Sequence, residues 1–387
     1  MPDLAAFSVE FVDSERLIPD ELWSACFTPQ QEGRWWSRLI ENAGVEKQFK
    51  IFYALIRCGD RPVGIAPAYT MKLPLEFIVP EPLVPILALP GKLFPSLSQP
   101  QILFVGSPCA DEGYIGLLPD VDRRAALLCL QQALEKEIAK RHAMLLLWKD
   151  FPPSYDDDFA WLAERAGMFR MTNFPGAVID LQSGRKDDYF AAMKSSRRYN
   201  LRRKLKRSAE NFDAEIEALQ KPDAATLARI YELFTQTRDR AAVRFEQLDR
   251  RFFERAAQEP NAHFVLLREK KTRDIVAFML CFDLGSGVIN KYIGLDYARP
   301  ASWFLLFRLI DVAIDWTLAR GGRFLQSGQT GYSAKLEQGH RLVPLTIYGK
   351  HLNPVFHRIG EWMTRRVRWA TLDDDLAEYV KARPGEH

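Results

Sequence analysis

A strand, a helix and a second strand follow one another between residues 287 and 327, and this order constrains the fold more than any other feature. The two runs from Gly287 to Asp296 and from Arg323 to Ser327 are apolar and prone to extended structure. Between them, Ser302 to Arg320 repeats apolar residues at helical spacing. Alternating strands and helices are the pattern of α/β domains, so the chain is predicted to have an α/β fold here.

A polar segment with three glycines, residues 328–340, follows the second strand directly, and Leu342 to Tyr348 is a further β-prone run. Ligands of α/β folds bind at strand ends, and loops on rigid scaffolds carry function more often than cores do. Lys335 and His340 are therefore candidate functional residues. The alternative, a glycine-bearing connector whose lysine and histidine are merely solvated, stays open on residue types alone.

The composition indicates a folded protein of two domains. The chain has 387 residues, 47% of them hydrophobic and 27% charged, and domains average roughly 150 residues. A net charge of +3 makes no general argument for binding to nucleic acid or to a membrane, and we expect no DNA partner. Five scattered cysteines lack metal or disulfide spacing, which predicts reduced thiols and no metal site.

We expect a cytoplasmic protein. The start of the sequence lacks the basic and apolar regions of a signal peptide, and no apolar run reaches the ~18 residues that span a bilayer. A peripheral contact with the inner-membrane face stays open.

The first predicted domain, residues 1–172, contains an apolar insertion from 73 to 108 that is punctuated by prolines. Proline at this density forbids a continuous helix or central strand. The segment either covers the core of its own domain, lines a hydrophobic acceptor or acyl-chain site, or lies at the level of lipid headgroups. The strand Ile102 to Val105 then leads into a turn with Cys109, Asp111 and Glu112, which is either a candidate binding site or a solvated turn.

The second predicted domain, residues 173–387, ends in a helical region and begins with a strand and a basic helix. The helix is predicted over Asp187 to Glu210 and carries eight lysines and arginines between 194 and 207. Like charges at this density destabilise an isolated helix, so an anionic partner such as a phosphate is expected. Tyr199 and Asn200 among the arginines predict that one face turns inward.

Two of these features together resemble a known family. Gly328, Gly331, Tyr332 and Lys335 after a core strand, with the basic run from Ser195 to Lys204, resemble the FemAB-like and BioF2-like acyltransferases of the GNAT superfamily. The resemblance implies two tandem GNAT-like domains, each a mixed, largely antiparallel sheet flanked by helices. It also implies transfer of an acyl group to an amine. The phosphate-binding signature of the superfamily is absent, and residues 296–302 stand in its place.

The resemblance also suggests roles for individual residues. The general base would be Asp296, Glu337 or His340, with Asp111 and Glu112 as further candidates. Lys335, Arg198 and Arg202 would neutralise donor phosphates, and Tyr292 and Tyr332 would hydrogen-bond the tetrahedral intermediate or the leaving group. The remaining predicted binding residues are Lys194, Asn200, Ser302, Gln329, Gly331 and Cys109. Ser302 is also expected to cap its helix.

Three functions follow from the resemblance. The first is an N-acyltransferase that joins an acyl-CoA, used as co-substrate with no bound cofactor, to a lipid-like amine such as a sphingoid base. The second is a FemAB-like aminoacyltransferase that uses aminoacyl-tRNA on a peptidoglycan precursor, although the helical arm that such proteins often carry for tRNA is not evident. The third is a scaffold without catalytic activity in envelope lipid or polysaccharide assembly.

Overall fold

A computed structural model describes residues 7–74, 99–240 and 245–383. The chain divides into two compact units. The first unit takes the residues up to Glu41, Val45–Phe174 and the chain from Pro344 onward, and the second takes Asn42–Gly44 and Pro175–Val343. The apolar insertion predicted at 73–108 falls largely outside the described residues, since 75–98 are not among them.

The strands are numbered in chain order. They are β1 (Phe7–Val12), β2 (Lys50–Cys58), β3 (Arg61–Lys72), β4 (Gln101–Val105), β5 (Gly116–Leu117), β6 (Leu145–Phe151), β7 (Phe169–Thr172), β8 (Gly176–Asp180), β9 (Ala214–Leu219), β10 (Ala262–Glu269), β11 (Ile275–Asp283), β12 (Val288–Leu295), β13 (Phe324–Ser327), β14 (Arg341–Val343) and β15 (Thr346–His351).

The α-helices follow the same order. They are α1 (Asp20–Cys26), α2 (Arg34–Glu41), α3 (Arg123–Lys140), α4 (Asp156–Ala166), α5 (Lys186–Ala192), α6 (Ser195–Asn211), α7 (Ala224–Arg240), α8 (Arg250–Ala256), α9 (Leu305–Ala319), α10 (Tyr332–Glu337), α11 (Pro354–Thr364), α12 (Trp369–Leu372) and α13 (Asp374–Lys381). None of the described helices combines the length and the apolar character needed to cross a bilayer.

The sheet of the first unit has the order β1-β2-β3-β4-β6-β15-β7, with β5 paired to β3. Only β4 and β6 run parallel among these pairs, and the others are antiparallel. The predicted hairpin of β2 and β3 is confirmed, and its turn uses Gly59 at φ 58°. Buried side chains of the sheet, such as Trp148 and Leu103, pack against Leu130 of α3 and Phe159 of α4. Burial of these side chains gives this unit its own core.

The sheet of the second unit has the order β14-β8-β13-β12-β11-β10-β9. Strands β12 and β13 are parallel, and α9 forms the crossover connection that parallel neighbours need. The other pairs are antiparallel. Leu309, Ala313 and Ile314 of α9 are buried in a core with Val265 and Leu325 of the sheet. The prediction of two mixed, largely antiparallel sheets flanked by helices is therefore confirmed.

The division of the chain differs from the predicted boundary between residues 172 and 173. The β-prone run Leu342 to Tyr348 contributes to two strands, and Pro344 lies between them. Strand β14 pairs with β8 in the second unit, whereas β15 pairs with β6 and β7 in the first unit. Proline has no N–H to donate to a ladder, so it is a natural point for the chain to leave one sheet.

Three local predictions are wrong. The helix expected over Asp187 to Glu210 is two helices, because Lys194 is extended at ψ 139° between α5 and α6. Ser302 does not cap α9, since it is exposed in a 3₁₀ turn and the cap is Phe304 at φ 47°. The glycine-bearing segment 328–340 is not wholly a loop, because α10 forms within it.

Candidate functional site

The candidate site is built where β12 and β13 stop pairing. Their parallel ladder has three pairs and ends at Asn290 opposite Ser327. Strand β12 continues to Leu295, and its register with β11 shifts at Lys291, which is an extra residue in the ladder. Bulges of this kind are common beside active sites because they redirect a strand. Beyond Asn290, the β13 side of β12 therefore has no strand partner in the described sheet.

A buried polar chain lies at this point. The Asn290 side-chain amide donates to Ser327 Oγ at 3.2 Å, and Ser327 Oγ lies 3.1 Å from His340 Nε2. The other ring nitrogen, Nδ1, lies 2.8 Å from the Lys335 carbonyl oxygen. Since a carbonyl can only accept, Nδ1 carries the proton and Nε2 accepts from the Ser327 hydroxyl.

Burial, together with the Lys335 charge, lowers the pKa of His340 to about 3. The imidazole is therefore neutral at physiological pH. Its two hydrogen bonds connect the end of β13 to α10. This arrangement makes His340 a poor general base, because a group with so low a pKa has little tendency to take up a proton.

Lys335 holds the turn after β13. Its ammonium donates to the carbonyl oxygens of Ser327, Gly328 and Gln329 at 3.2, 2.6 and 3.2 Å. The turn needs such support, because Thr330 adopts φ 65°, a conformation that residues other than glycine rarely adopt. Lys335 thus positions the backbone of the turn at the end of the parallel pair.

Two further predicted residues anchor the same segment. Tyr332 is fully buried, and its hydroxyl donates to the Pro175 carbonyl oxygen at 2.8 Å. Gly331 caps α10 at φ 65° and is exposed. The structure therefore places Lys335, His340, Tyr332, Gly331 and Gln329 in one segment after β13.

Asp296 lies in a separate ion-pair network at the end of β12. Its carboxylate accepts from Arg229 at 2.8 Å and from Arg299 at 3.2 Å. Arg299 also pairs with Glu269 and Asp274. In the segment that replaces the superfamily's phosphate-binding signature, the one arginine, Arg299, is thus paired with carboxylates.

The other two predicted catalytic residues lie on different elements. Glu337 is half exposed at the end of α10 and forms an ion pair with Lys204 of α6. The Tyr292 hydroxyl on β12 donates to the Glu246 carboxylate at 2.7 Å. Glu246 is half buried and has no cationic partner among the described residues.

The basic helix α6 presents most of its cations outward. Lys194 and Arg202 are exposed, and the Arg202 guanidinium lies 4.9 Å from the centre of the Phe190 ring. Arg198 instead turns back, 3.4 Å from the Phe190 and Ala191 carbonyl oxygens and 3.5 Å from that of Met193.

The prediction that the face of α6 with Tyr199 and Asn200 turns inward is wrong. Tyr199 is 65% exposed, and Asn200 is exposed too. The buried residues of α6 are Leu201 and Ser208. The Ser208 hydroxyl donates to the Trp303 carbonyl oxygen at 2.6 Å.

The remaining predicted site residues belong to the first unit. Cys109 is buried at φ 58°. The Asp111 amide donates to the Glu32 carboxylate at 2.7 Å, and the Tyr114 hydroxyl donates to Glu112 at 2.6 Å. Burial and the Glu112 charge raise the pKa of Tyr114. The turn is thus half buried and hydrogen-bonded, not the solvated alternative.

The sequence analysis missed Asn290, Ser327 and Glu246. Asn290 is a polar residue in a strand that is mostly apolar, and Ser327 ends a strand immediately before a glycine, so both gave a weak signal. Glu246 gave none, because only the fold places it beside Tyr292. Within the described ranges no three or more His, Cys, Asp and Glu side chains are grouped as a metal site would require.

Comparisons with known proteins identify this architecture. The model of the FemAB-like family, described as peptidoglycan biosynthesis/recognition, matches residues 121–377. Among solved structures, FemX is similar at 12% identity over 84% of this chain and 93% of FemX, with a TM-score of 0.56. L-PGS from Bacillus licheniformis is similar at 13% identity over 79% of this chain and 87% of that one, with a TM-score of 0.50.

A conserved protein of unknown function from Bacteroides thetaiotaomicron VPI-5482 is similar at 9% identity over 89% of this chain and all of that one, with a TM-score of 0.55. The search of curated proteins gave no match. The fold and the family match define an acyltransferase with two tandem GNAT-like units. The chain belongs to the FemAB-like family.

Proposed function

We propose that the chain transfers an activated aminoacyl group to an amine of a peptidoglycan precursor and forms an amide. The observation that carries the proposal is the match of the FemAB-like family, whose description names peptidoglycan, over residues 121–377. The donor would be an aminoacyl-tRNA. The amine nitrogen attacks the ester carbonyl carbon, the carbon–oxygen bond to the ribose breaks, and the ribose hydroxyl leaves with a proton.

The segment after β12 favours this donor over acyl-CoA. A pyrophosphate needs a surplus of positive charge or free backbone N–H groups. Arg229 and Arg299 are the cations of the network there, and they pair with four carboxylates, those of Glu232, Asp296, Glu269 and Asp274. Acyl-CoA with a sphingoid-base acceptor stays a prediction, and the experiment below includes it.

The basic helix supports an extended polyanion as the donor. The exposed cations of α6 are Arg202, Arg203, Lys206 and Arg207, and Lys194 directly precedes the helix. Arginine and lysine along one helix suit the phosphate backbone of a nucleic acid, whose binding depends on the number of charges neutralised. These residues would hold the tRNA through its phosphates.

The chemistry requires a base for the incoming ammonium and a donor for the developing oxyanion. Among the carboxylates considered, Asp296 and Glu337 are paired with cations, whereas Glu246 accepts a neutral hydrogen bond from Tyr292. We assign Glu246 as the base and Tyr292 as the residue that orients it. Backbone N–H groups of β12 beyond Asn290 would stabilise the oxyanion.

The function is tested with the purified chain and four pairs of substrates. An aminoacyl-tRNA and a long-chain acyl-CoA are each combined with a peptidoglycan precursor that carries a free amine and with a sphingoid base. Amide products are identified by mass spectrometry. An aminoacylated peptidoglycan precursor supports the proposal, an N-acylated sphingoid base supports the acyl-CoA prediction instead, and no product in any pair favours a scaffold.

The assignment of the base is tested by a matched pair of variants. Glu246→Gln should lower kcat by about 100-fold, in the range typical of general-base catalysis. Glu337→Gln removes a carboxylate of the same kind that is paired with a cation, and should leave kcat within about threefold because an exposed ion pair contributes little energy. Equal losses in both variants would contradict the assignment.

A further inference from the structure

Helix α11 presents an apolar stripe to solvent. Nine large apolar side chains among the described residues are exposed, and five of them lie between residues 352 and 362. They are Leu352 (50% exposed), Val355 (63%), Phe356 (45%), Ile359 (41%) and Trp362 (54%). Positions 355, 359 and 362 follow the spacing of one helix face. This concentration is unlike the scattered exposed apolar residues of a typical surface.

The opposite face of α11 packs against strand β7. The His357 ring lies 5.5 Å from the ring of Phe169 on β7. A methyl group at Gly360 would come within 3.3 Å of the same phenylalanine, and Thr364 is buried. Because these contacts already anchor the helix, the exposed stripe is not needed to hold it in place.

The charges around the stripe are mainly positive. Between residues 354 and 368 the sequence has one carboxylate, Glu361, which pairs with Arg365 at 2.5 Å. The Arg366 guanidinium lies 3.8 Å from the centre of the Trp362 ring. The four exposed cations of this segment are Arg358, Arg365, Arg366 and Arg368. Arg358 lies along one edge of the stripe at 100° per residue, and Arg365, Arg366 and Arg368 follow the C-terminal end of α11.

We propose that α11 lies on the surface of an anionic lipid bilayer, with the stripe at the acyl–headgroup boundary and the arginines at the phosphates. Helices that combine exposed tryptophan and other large apolar residues with neighbouring arginines bind membranes in this orientation. This inference does not rest on the proposed function, because it concerns binding alone.

A bilayer fits the stripe better than a second copy of the chain does. A helix of 11 residues is about 16 Å long. A stable protein interface buries roughly 800 Å² on each partner, which is more than one face of so short a helix offers. Four arginines on and directly after α11 would also repel the same segment of a second copy, whereas they attract anionic headgroups.

The test is flotation of the full chain with phosphatidylcholine vesicles and with vesicles of phosphatidylcholine and phosphatidylglycerol. We expect binding to the mixed vesicles and little to the neutral ones. Ile359→Glu with Trp362→Glu should lower the partition coefficient by at least tenfold, because two apolar side chains no longer enter the boundary. Arg358→Ala should lower it about fivefold, the effect of one cation near the surface.

Matched controls lie outside the stripe. Leu17 is 64% exposed in the same unit, so Leu17→Glu removes a comparable apolar residue and should leave partitioning unchanged. Arg16→Ala serves the same purpose for Arg358→Ala, since its side chain is 72% exposed. Circular dichroism and thermal unfolding check that each variant is folded.

Several results would overturn the proposal. These are no binding of the unmodified chain to mixed vesicles, equal binding to both kinds of vesicle, and binding that survives the double substitution. A dimer in solution that Ile359→Glu with Trp362→Glu converts to a monomer, without vesicle binding, would instead identify the stripe as a protein interface.

Discussion

The Nε2 atom of His340 lies 3.1 Å from Oγ of Ser327, in the interior of the second unit. The other ring nitrogen is bound to the Lys335 carbonyl oxygen, so both nitrogens of the imidazole have partners in the protein. This histidine is therefore a structural bridge between a strand and the helix that follows it. Its contribution to the site is to fix the position of the turn that Lys335 also holds.

Replacing this bridge should destabilise the second unit. His340→Ala leaves the buried Ser327 hydroxyl without its acceptor, while the Lys335 carbonyl keeps its backbone N–H donors. The lost hydrogen bond and the cavity together cost about 3 kcal/mol. The free energy of unfolding by urea measures the loss. His142→Asn is the control, since His142 is exposed at φ 54°, which asparagine tolerates. A similar change in both variants would contradict the role given to His340.

The same histidine should make stability depend on pH. In the unfolded chain it takes up a proton near its ordinary pKa of 6.5, whereas the folded chain does so only near pH 3. Between these values the unfolded state holds more protons, so the free energy of unfolding falls as the pH is lowered. For one proton the slope is at most about 1.4 kcal/mol per pH unit.

Urea unfolding at pH 7 and pH 5 measures this slope. Burial also lowers the pKa values of His263 and His351, and these two groups contribute with the same sign. The difference in slope between the unmodified chain and His340→Ala gives the contribution of His340 alone. Identical slopes in the two proteins would show that His340 titrates as it does in water.

Removing the ammonium of Lys335 should loosen the turn after β13. Lys335→Met keeps most of the side-chain volume and deletes three contacts to carbonyl oxygens. We expect faster amide hydrogen exchange over residues 328–331 and at least tenfold lower transfer activity, with a loss of stability of about 1–2 kcal/mol. Lys221→Met, at an exposed lysine of the second unit outside the basic helix, is the control. If amide hydrogen exchange over residues 328–331 is unchanged in Lys335→Met, this side chain does not stabilise the turn.

The ion pair of Lys204 and Glu337 should contribute little to stability. The Lys204 side chain is 25% exposed and that of Glu337 is 49% exposed, so solvent screens the attraction. A double-mutant cycle with Lys204→Met and Glu337→Gln should give a coupling energy below about 1 kcal/mol. Thermal or urea unfolding of the four proteins gives this value, and a coupling of several kcal/mol would indicate a pair that is shielded from water.

Much of the fold could be predicted because local patterns carry it. The hairpin of β2 and β3 follows from alternating residues around a Gly-Asp turn, and α9 between β12 and β13 follows from helical periodicity. The split of the basic helix at Lys194 was missed, because no proline or glycine marks it. The cap of α9 was also missed, because the sequence indicated Ser302 and the structure has Phe304 at that position.

The candidate site could be predicted only in part. Lys335, Tyr332 and His340 were found because a short polar segment with glycines stands out between apolar strands. Their partners were not evident, since Ser327, Asn290 and Pro175 reach them through tertiary contacts. Asp296 was expected to act as a base, but the fold surrounds it with guanidinium groups.

The sequence by itself determined the order of strands and helices, the glycine-bearing turn and the basic helix, because these depend on residues close together in the chain. Tertiary structure alone decided that β14 and β15 join different sheets, since both have the same local pattern and only distant strands distinguish them. It also decided that His340 is neutral while the stripe around Trp362 faces solvent. Burial removes water from a side chain, and only the packed chain defines which side chains are buried.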